Sequence, residues 1–154
     1  MKGGAKMGFA GRKTLLDPVV RDAYDLPAMA RVATGTAWAK MSDEEKKGVT
    51  DAFADWTVAT YASQFKSFEG ETFTTKREVD AQRGRKAVET TLNPKGEEPV
   101  VLNYQLREDG GVWKIIDVLL DGAVSQLAIR RNEFAGVLGK GGVPALIEIG
   151  RAHV

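Results

Sequence analysis

Asp117 is the acid in this sequence with the strongest claim to chemistry. It falls in the run Trp113-Lys114-Ile115-Ile116-Asp117-Val118, where strand alternation places it among apolar neighbours. Burial in such a place raises a carboxyl group's pKa unless a cation or several donors hold it ionised, and a raised carboxyl can serve as a base. Arg131 is the matching cation. It interrupts an apolar helical stripe of Val124, Leu127, Phe134 and Leu138, and an arginine so placed requires a partner such as Asp117 or Asp121. Asp117 and Arg131 therefore read first as a structural pair, second as a contact for the head group of a ligand, and third as proton-transfer machinery, because perturbed acids also occur in structural networks. Arg130 reads as a solvated cation with a possible second use against an anionic group.

Other chemistry finds little support. The one histidine, His153, stands next to the last residue, where chains fray, so a Ser-His-Asp system or a histidine metal site has no secure base. The chain has no cysteine, which removes thiol nucleophiles, zinc-cysteine clusters and iron-sulfur centres. Glycine is abundant, yet no phosphate-binding glycine motif follows a strand and opens a helix. Gly139-Lys140-Gly141-Gly142 follows a helical run and reads as its termination. No cofactor or metal is expected.

The elements that position these residues follow from periodicity. Between Lys13 and Lys40, short helical patterns with Pro18 and Pro27 near their starts predict two or three short helices. Ser42-Asp43-Glu44-Glu45 is a capping box opening a helix that reaches about Phe68. That helix carries two apolar stripes, one of Val49, Ala52, Phe53, Trp56 and Thr60, the other of Val58, Tyr61, Phe65 and Phe68, so it must be covered on two sides, by a sheet and by other helices or a ligand. After Gly70 the period becomes two, through 72–82, 85–93, 98–107 and 112–120, with turn residues between, which predicts a four-stranded antiparallel meander. If Arg107 faces Val112 in the last hairpin, Leu102, Tyr104 and Leu106 share a face with Trp113, Ile115 and Asp117. Helix returns from Val124 to Leu138, with a further short helix from Pro144. The fold class is α+β, with helices before and after the sheet.

The 154 residues fit one domain at 13–154, and the Gly- and Lys-rich residues 1–12 read as a flexible arm or a recombinant remnant. With 22 Lys and Arg against 21 Asp and Glu, no excess charge favours nucleic acid. No apolar run exceeds three residues, so neither a membrane span nor the apolar core of a secretory signal is expected.

Taken together, Tyr24-Asp25-Leu26, Gly35-Thr36-Ala37-Trp38, Phe53 with Tyr61-Ala62-Ser63-Gln64-Phe65, Gly70-Glu71-Thr72-Phe73, the Trp113–Val118 run, Asp121-Gly122-Ala123-Val124-Ser125-Gln126-Leu127-Ala128 and Arg130-Arg131-Asn132-Glu133-Phe134 resemble the MlaC or toluene-tolerance family. These proteins are auxiliary components of ABC transporters in bacterial lipid transport, and the resemblance is strongest to the hopanoid-associated HpnM branch. It spans about residues 13–150. It implies a curved sheet with helices in an NTF2-like architecture, an apolar cavity, a periplasmic location and a phospholipid or hopanoid-type lipid as cargo. It also implies exchange with an inner-membrane ABC transporter complex and an outer-membrane partner, without catalysis.

Physical expectation and resemblance meet at the cavity. Phe53, Trp56, Tyr61, Phe65, Leu102, Tyr104, Leu106, Trp113, Ile115, Leu127 and Phe134 are the candidate lining residues, with Asp117 and Arg131 as structural or head-group residues. Two other readings compete. On a ketosteroid-isomerase-like cone Asp117 would be the base and Tyr61 or Tyr104 the hydrogen-bond donor. An adaptor would instead present a large exposed apolar patch without a cavity.

Overall fold

The computed structural model describes residues 3–66 and 70–152. Phe68 and His153 lie outside the described residues.

Four helices and one sheet follow in order. Helix α1 spans Gly4–Ala23, α2 spans Leu26–Thr34, a 3-10 turn covers Gly35–Lys40, and α3 spans Asp43–Gln64. Strands β1 (Thr72–Asp80), β2 (Lys86–Asn93), β3 (Val100–Asp109), β4 (Val112–Leu120) and β5 (Val124–Ser125) precede α4 (Gln126–Arg151). The strands lie in the sheet in chain order, every neighbour antiparallel. The expected four-stranded NTF2-like sheet is thus corrected to a five-stranded open meander. The fifth strand is only two residues long, too short for a period, and is turned back onto β4 by Asp121 and Gly122, both at positive φ. Among the described residues no helix is long and apolar enough to cross a membrane.

The local signals for α3 hold. Ser42 Oγ accepts from the Glu45 N–H at 3.1 Å, and the Ser42 N–H donates to Glu45 Oε2 at 2.9 Å, pairing two amides that the helix start would leave open. The helix ends at Gln64. Its buried residues, Val49, Ala52, Phe53, Ala54, Val58, Ala59 and Ala62, run round most of its circumference, because α1, α2 and α4 all pack on it. Against α4 the approach is very close: a Cβ on Gly150 would stand 2.4 Å from the Cα of Ala52, so only glycine fits there.

Residues 4–12 lie in the first half of α1, which is interrupted at Gly8 (φ 70°, ψ 177°), and Arg12 is buried, its Nε donating to the Ala62 carbonyl at 2.7 Å and its Nη1 to the Gly4 carbonyl at 2.9 Å. Composition hid this because one arginine, bonded to a backbone oxygen of α3 and to one of α1 itself, docks a segment that has few apolar residues of its own. Pro18 sits inside α1 rather than at a helix start. In α4 the glycine-rich run stays helical until Gly142, whose φ of 67° and ψ of −162° break the axis before Pro144.

The β3–β4 hairpin departs most from expectation. Gly110 and Gly111, at φ 58° and 82°, make a two-residue turn of the kind that needs positive φ at both positions, so Asp109 rather than Arg107 faces its partner end and pairs with Val112. Leu106 pairs with Ile115, but Gln105 pairs with Asp117, leaving Ile116 as a bulge. One extra residue reverses the alternation beyond it. Val118 and Leu120 therefore share the face of Tyr104 and Leu102, and Asp117 goes to the opposite face with Gln105.

Candidate functional site: an apolar cavity between helix α3 and the sheet

A cavity of about 380 Å³ lies between α3 and the sheet, within the size range of small-molecule sites. Helix α3 contributes Phe53, Thr57, Thr60, Tyr61 and Gln64, and the chain just beyond it contributes Phe65. The sheet contributes Phe73, Leu102, Tyr104, Val118 and Leu120. Leu16, Tyr24 and Met29 come from the α1–α2 region, and Gln126, Leu127 and Arg130 from the start of α4. Phe73 is 60% exposed and Phe65 37%, so these two rings mark the mouth.

The α3 wall makes few polar demands. Thr57 and Thr60 donate their hydroxyls to the Phe53 and Trp56 carbonyls at 2.8 Å each, keeping those protons within the helix. Besides Gln64, Gln126 and Arg130, the lining holds a tyrosine cluster. The Tyr24 and Tyr61 hydroxyls lie 2.8 Å apart, and their ring centres are separated by 6.2 Å. Burial raises the pKa of Tyr24, and the neighbouring Tyr61 raises it further. Burial also raises Tyr61, against opposing effects from the Tyr24 hydrogen bond and Arg130, and raises Tyr104, with a contribution from Tyr61. The phenols remain neutral at physiological pH.

Tyr24 owes its position to its neighbour. The Asp25 side chain caps α2 by accepting from the Ala28 N–H, its N–H donates to the Ile115 carbonyl at 2.8 Å, and its carboxylate pairs with Arg107. These contacts fix the α1–α2 junction against β3 and β4 and hold Tyr24 in the wall. At the other side, Phe134 stacks on Trp56 at 4.9 Å, and the Arg130 guanidinium lies 4.4 Å from the same ring's centre. Four residues apart on α4, they grip α3 together and set Arg130 at the cavity, where it also pairs with Glu133.

The cavity gathers Phe53, Tyr61, Phe65, Leu102, Tyr104 and Leu127 of the sequence candidates. The others sit elsewhere. Phe134 is packed in the core, edge-on to Phe53 at 5.9 Å, and Ile115 packs against that core. Leu106 pairs with Ile115 beyond the bulge, outside the lining. Trp113 is exposed near the hairpin turn, with Lys86 Nζ 5.0 Å from its ring centre. Trp56 lines a second cavity of about 340 Å³ with Phe9, Ala59, Thr60, Ser63 and Gln64. Thr60 and Gln64 border both.

The Asp117–Arg131 pair does not form. The bulge turns Asp117 toward the start of α4, where its carboxylate accepts from the Val118 N–H at 2.7 Å, the Leu127 N–H at 3.1 Å and the Ser125 hydroxyl. It ties β4 to the N-terminus of α4, a place where negative charge is favoured. Arg131 is exposed, its Nε and Nη2 3.5 Å from where a Cβ on Gly35 would stand. Sequence reasoning missed Tyr24, Met29 and Phe73 as lining residues. Tyr24 stands between two helices with no periodicity to reveal its direction, and Phe73 carries only an exposed-strand signal.

Fold and site together define an α+β protein with an open antiparallel meander, roofed by helices over an apolar cavity. Residues 2–149 match the family model described as MlaC protein, and the chain belongs to that family. A phospholipid-binding protein from Ralstonia solanacearum, solved in complex with a phospholipid, has a similar structure. It superposes with a TM-score of 0.82 at 24% identity, over 97% of this chain and 84% of that one. No curated protein sequence matches.

Proposed function

We propose that this chain is a non-enzymatic carrier that takes the hydrocarbon of a phospholipid or hopanoid-type lipid into the cavity and moves the lipid through the periplasm. The observation that carries the reading is the cavity itself: an apolar hollow between α3 and the sheet, with Phe65 and Phe73 exposed at its mouth, in a member of the MlaC family. The phospholipid bound by the Ralstonia protein of the same fold supports it. Shielding a chain of about 16 carbons from water is worth about 12 kcal/mol at roughly 0.8 kcal/mol per methylene, so a carrier must replace most of that with its own apolar wall. Nothing covalent is required. The cycle is extraction, shielding and release, exchanging with an inner-membrane ABC transporter complex and an outer-membrane partner, as in the HpnM branch that the sequence resembles.

Asp117 does not favour an enzyme, since its carboxylate is engaged by three donors and lies outside the cavity lining. Transfer of a fluorescent phospholipid from quenched donor vesicles to acceptor vesicles of phosphatidylcholine and phosphatidylglycerol tests the proposal. The expected result is a transfer rate that rises in proportion to added protein. A rate equal to the spontaneous one, at protein concentrations matching the labelled lipid, would refute a carrier.

A further inference from the structure

Two hydroxyl groups bring two O–H donors. The single bond between Tyr24 and Tyr61 uses one of them, and among the described residues no acceptor meets the other. The pair shares its cavity with Met29, Phe53 and Leu102, and with the polar side chains of Gln64, Gln126 and Arg130. A donor left open in such a place is unfavourable, because it gives up a bond to water and gains none from the protein. Tyr24 and Tyr61 are also neutral across the physiological range, as burial raises both pKa values, so the donor persists.

The position of the pair is informative. Phe65, at the mouth, contacts Tyr61 with ring centres 5.9 Å apart, and Tyr61 in turn reaches Tyr24, which is only 9% exposed. The Tyr61 ring thus stands next to the mouth ring Phe65, and its hydroxyl is bonded to that of the buried Tyr24. We propose that the Tyr24–Tyr61 hydroxyl pair is a polar subsite that donates a hydrogen bond to an ester carbonyl of an acyl lipid.

This inference rests on the lipid-carrier reading and narrows its cargo. A glycerolipid whose head group stays at the mouth carries its ester carbonyls just below the head group and its methylenes further in. That order matches a donor pair behind the mouth ring Phe65, with Met29, Phe53 and Leu102 lining the same cavity. A polycyclic lipid with no oxygen at that depth would leave the donor open.

The test compares two soluble probes, diheptanoyl phosphatidylcholine and the corresponding diheptyl ether, which has the same head group and chains of the same length but no carbonyls. Calorimetric titration of the wild-type protein should give an ester affinity about three- to tenfold above the ether affinity, the size of one net hydrogen bond. In the Tyr24→Phe/Tyr61→Phe double variant the ratio of ester to ether affinity should fall to about one. Equal wild-type affinities, or a double variant that keeps the preference, would overturn the tyrosine assignment while leaving the carrier reading in place. Failure of the wild-type protein to bind either probe would overturn both. The wild-type comparison needs no variant, so the inference stays testable if the double variant fails to fold.

Discussion

Replacing Leu102 with Glu should cost the protein its lipid while leaving it folded. Leu102 is half-buried on β3 and lines the cavity opposite α3. Empty of cargo, that position admits water to a carboxylate. With a hydrocarbon chain in place the carboxylate would have to be buried unpaired or take up a proton, and either cost falls on binding. About 2 kcal/mol or more is expected, roughly thirtyfold or greater in Kd for phospholipid. Val112→Glu makes the same change of charge at a site that is 54% exposed next to the hairpin turn, and should leave Kd unchanged. Fluorescence titration with a labelled phospholipid measures both. Wild-type affinity in Leu102→Glu would move the ligand out of this cavity and toward the one lined by Phe9 and Trp56.

The largest effect on stability is expected from Phe134→Ala. Phe134 is fully buried, edge-on to Phe53 and stacked on Trp56, so its removal leaves a hole where α3 and α4 meet. Truncation of such a ring costs about 3–5 kcal/mol. For a chain of this length that lowers Tm by roughly 10–15 °C, which thermal denaturation followed by circular dichroism would register. A loss below about 1 kcal/mol would mean that the two helices close over the gap and that Phe134 is not the joint described. Loss of the ring also frees Trp56, the platform under Arg130, so the cavity margin should loosen along with the core.

The parts of this molecule that were legible in its sequence are those fixed by neighbours in the chain. Ser42 and Glu45 specify the start of α3 between themselves. Alternation and turn residues placed the long strands to within a few residues. Phe53 and Tyr61 on α3 and Leu102 and Tyr104 on β3 border the cavity, whereas Trp56 and Leu106, drawn from the same patterns, do not. What was hidden depends on events a local pattern does not carry. The unpaired Ile116 moves Asp117 to one face and Val118 to the other, and no residue type in the run announces a bulge. Phe53 and Phe134 are alike as letters in apolar stripes, yet the first borders the cavity and the second fills the core, a distinction made only by how α3 and α4 meet. Arg12 docks α1 through backbone carbonyls, which have no sequence signature at all.

Native mass spectrometry of the purified protein, after incubation with phospholipid vesicles, reads out whether this cavity holds lipid. The expected spectrum has the mass of the chain plus one glycerophospholipid, an adduct that disappears on denaturation and is missing from Leu102→Glu. A spectrum containing only the bare chain, from wild-type protein shown to be folded, would contradict lipid binding.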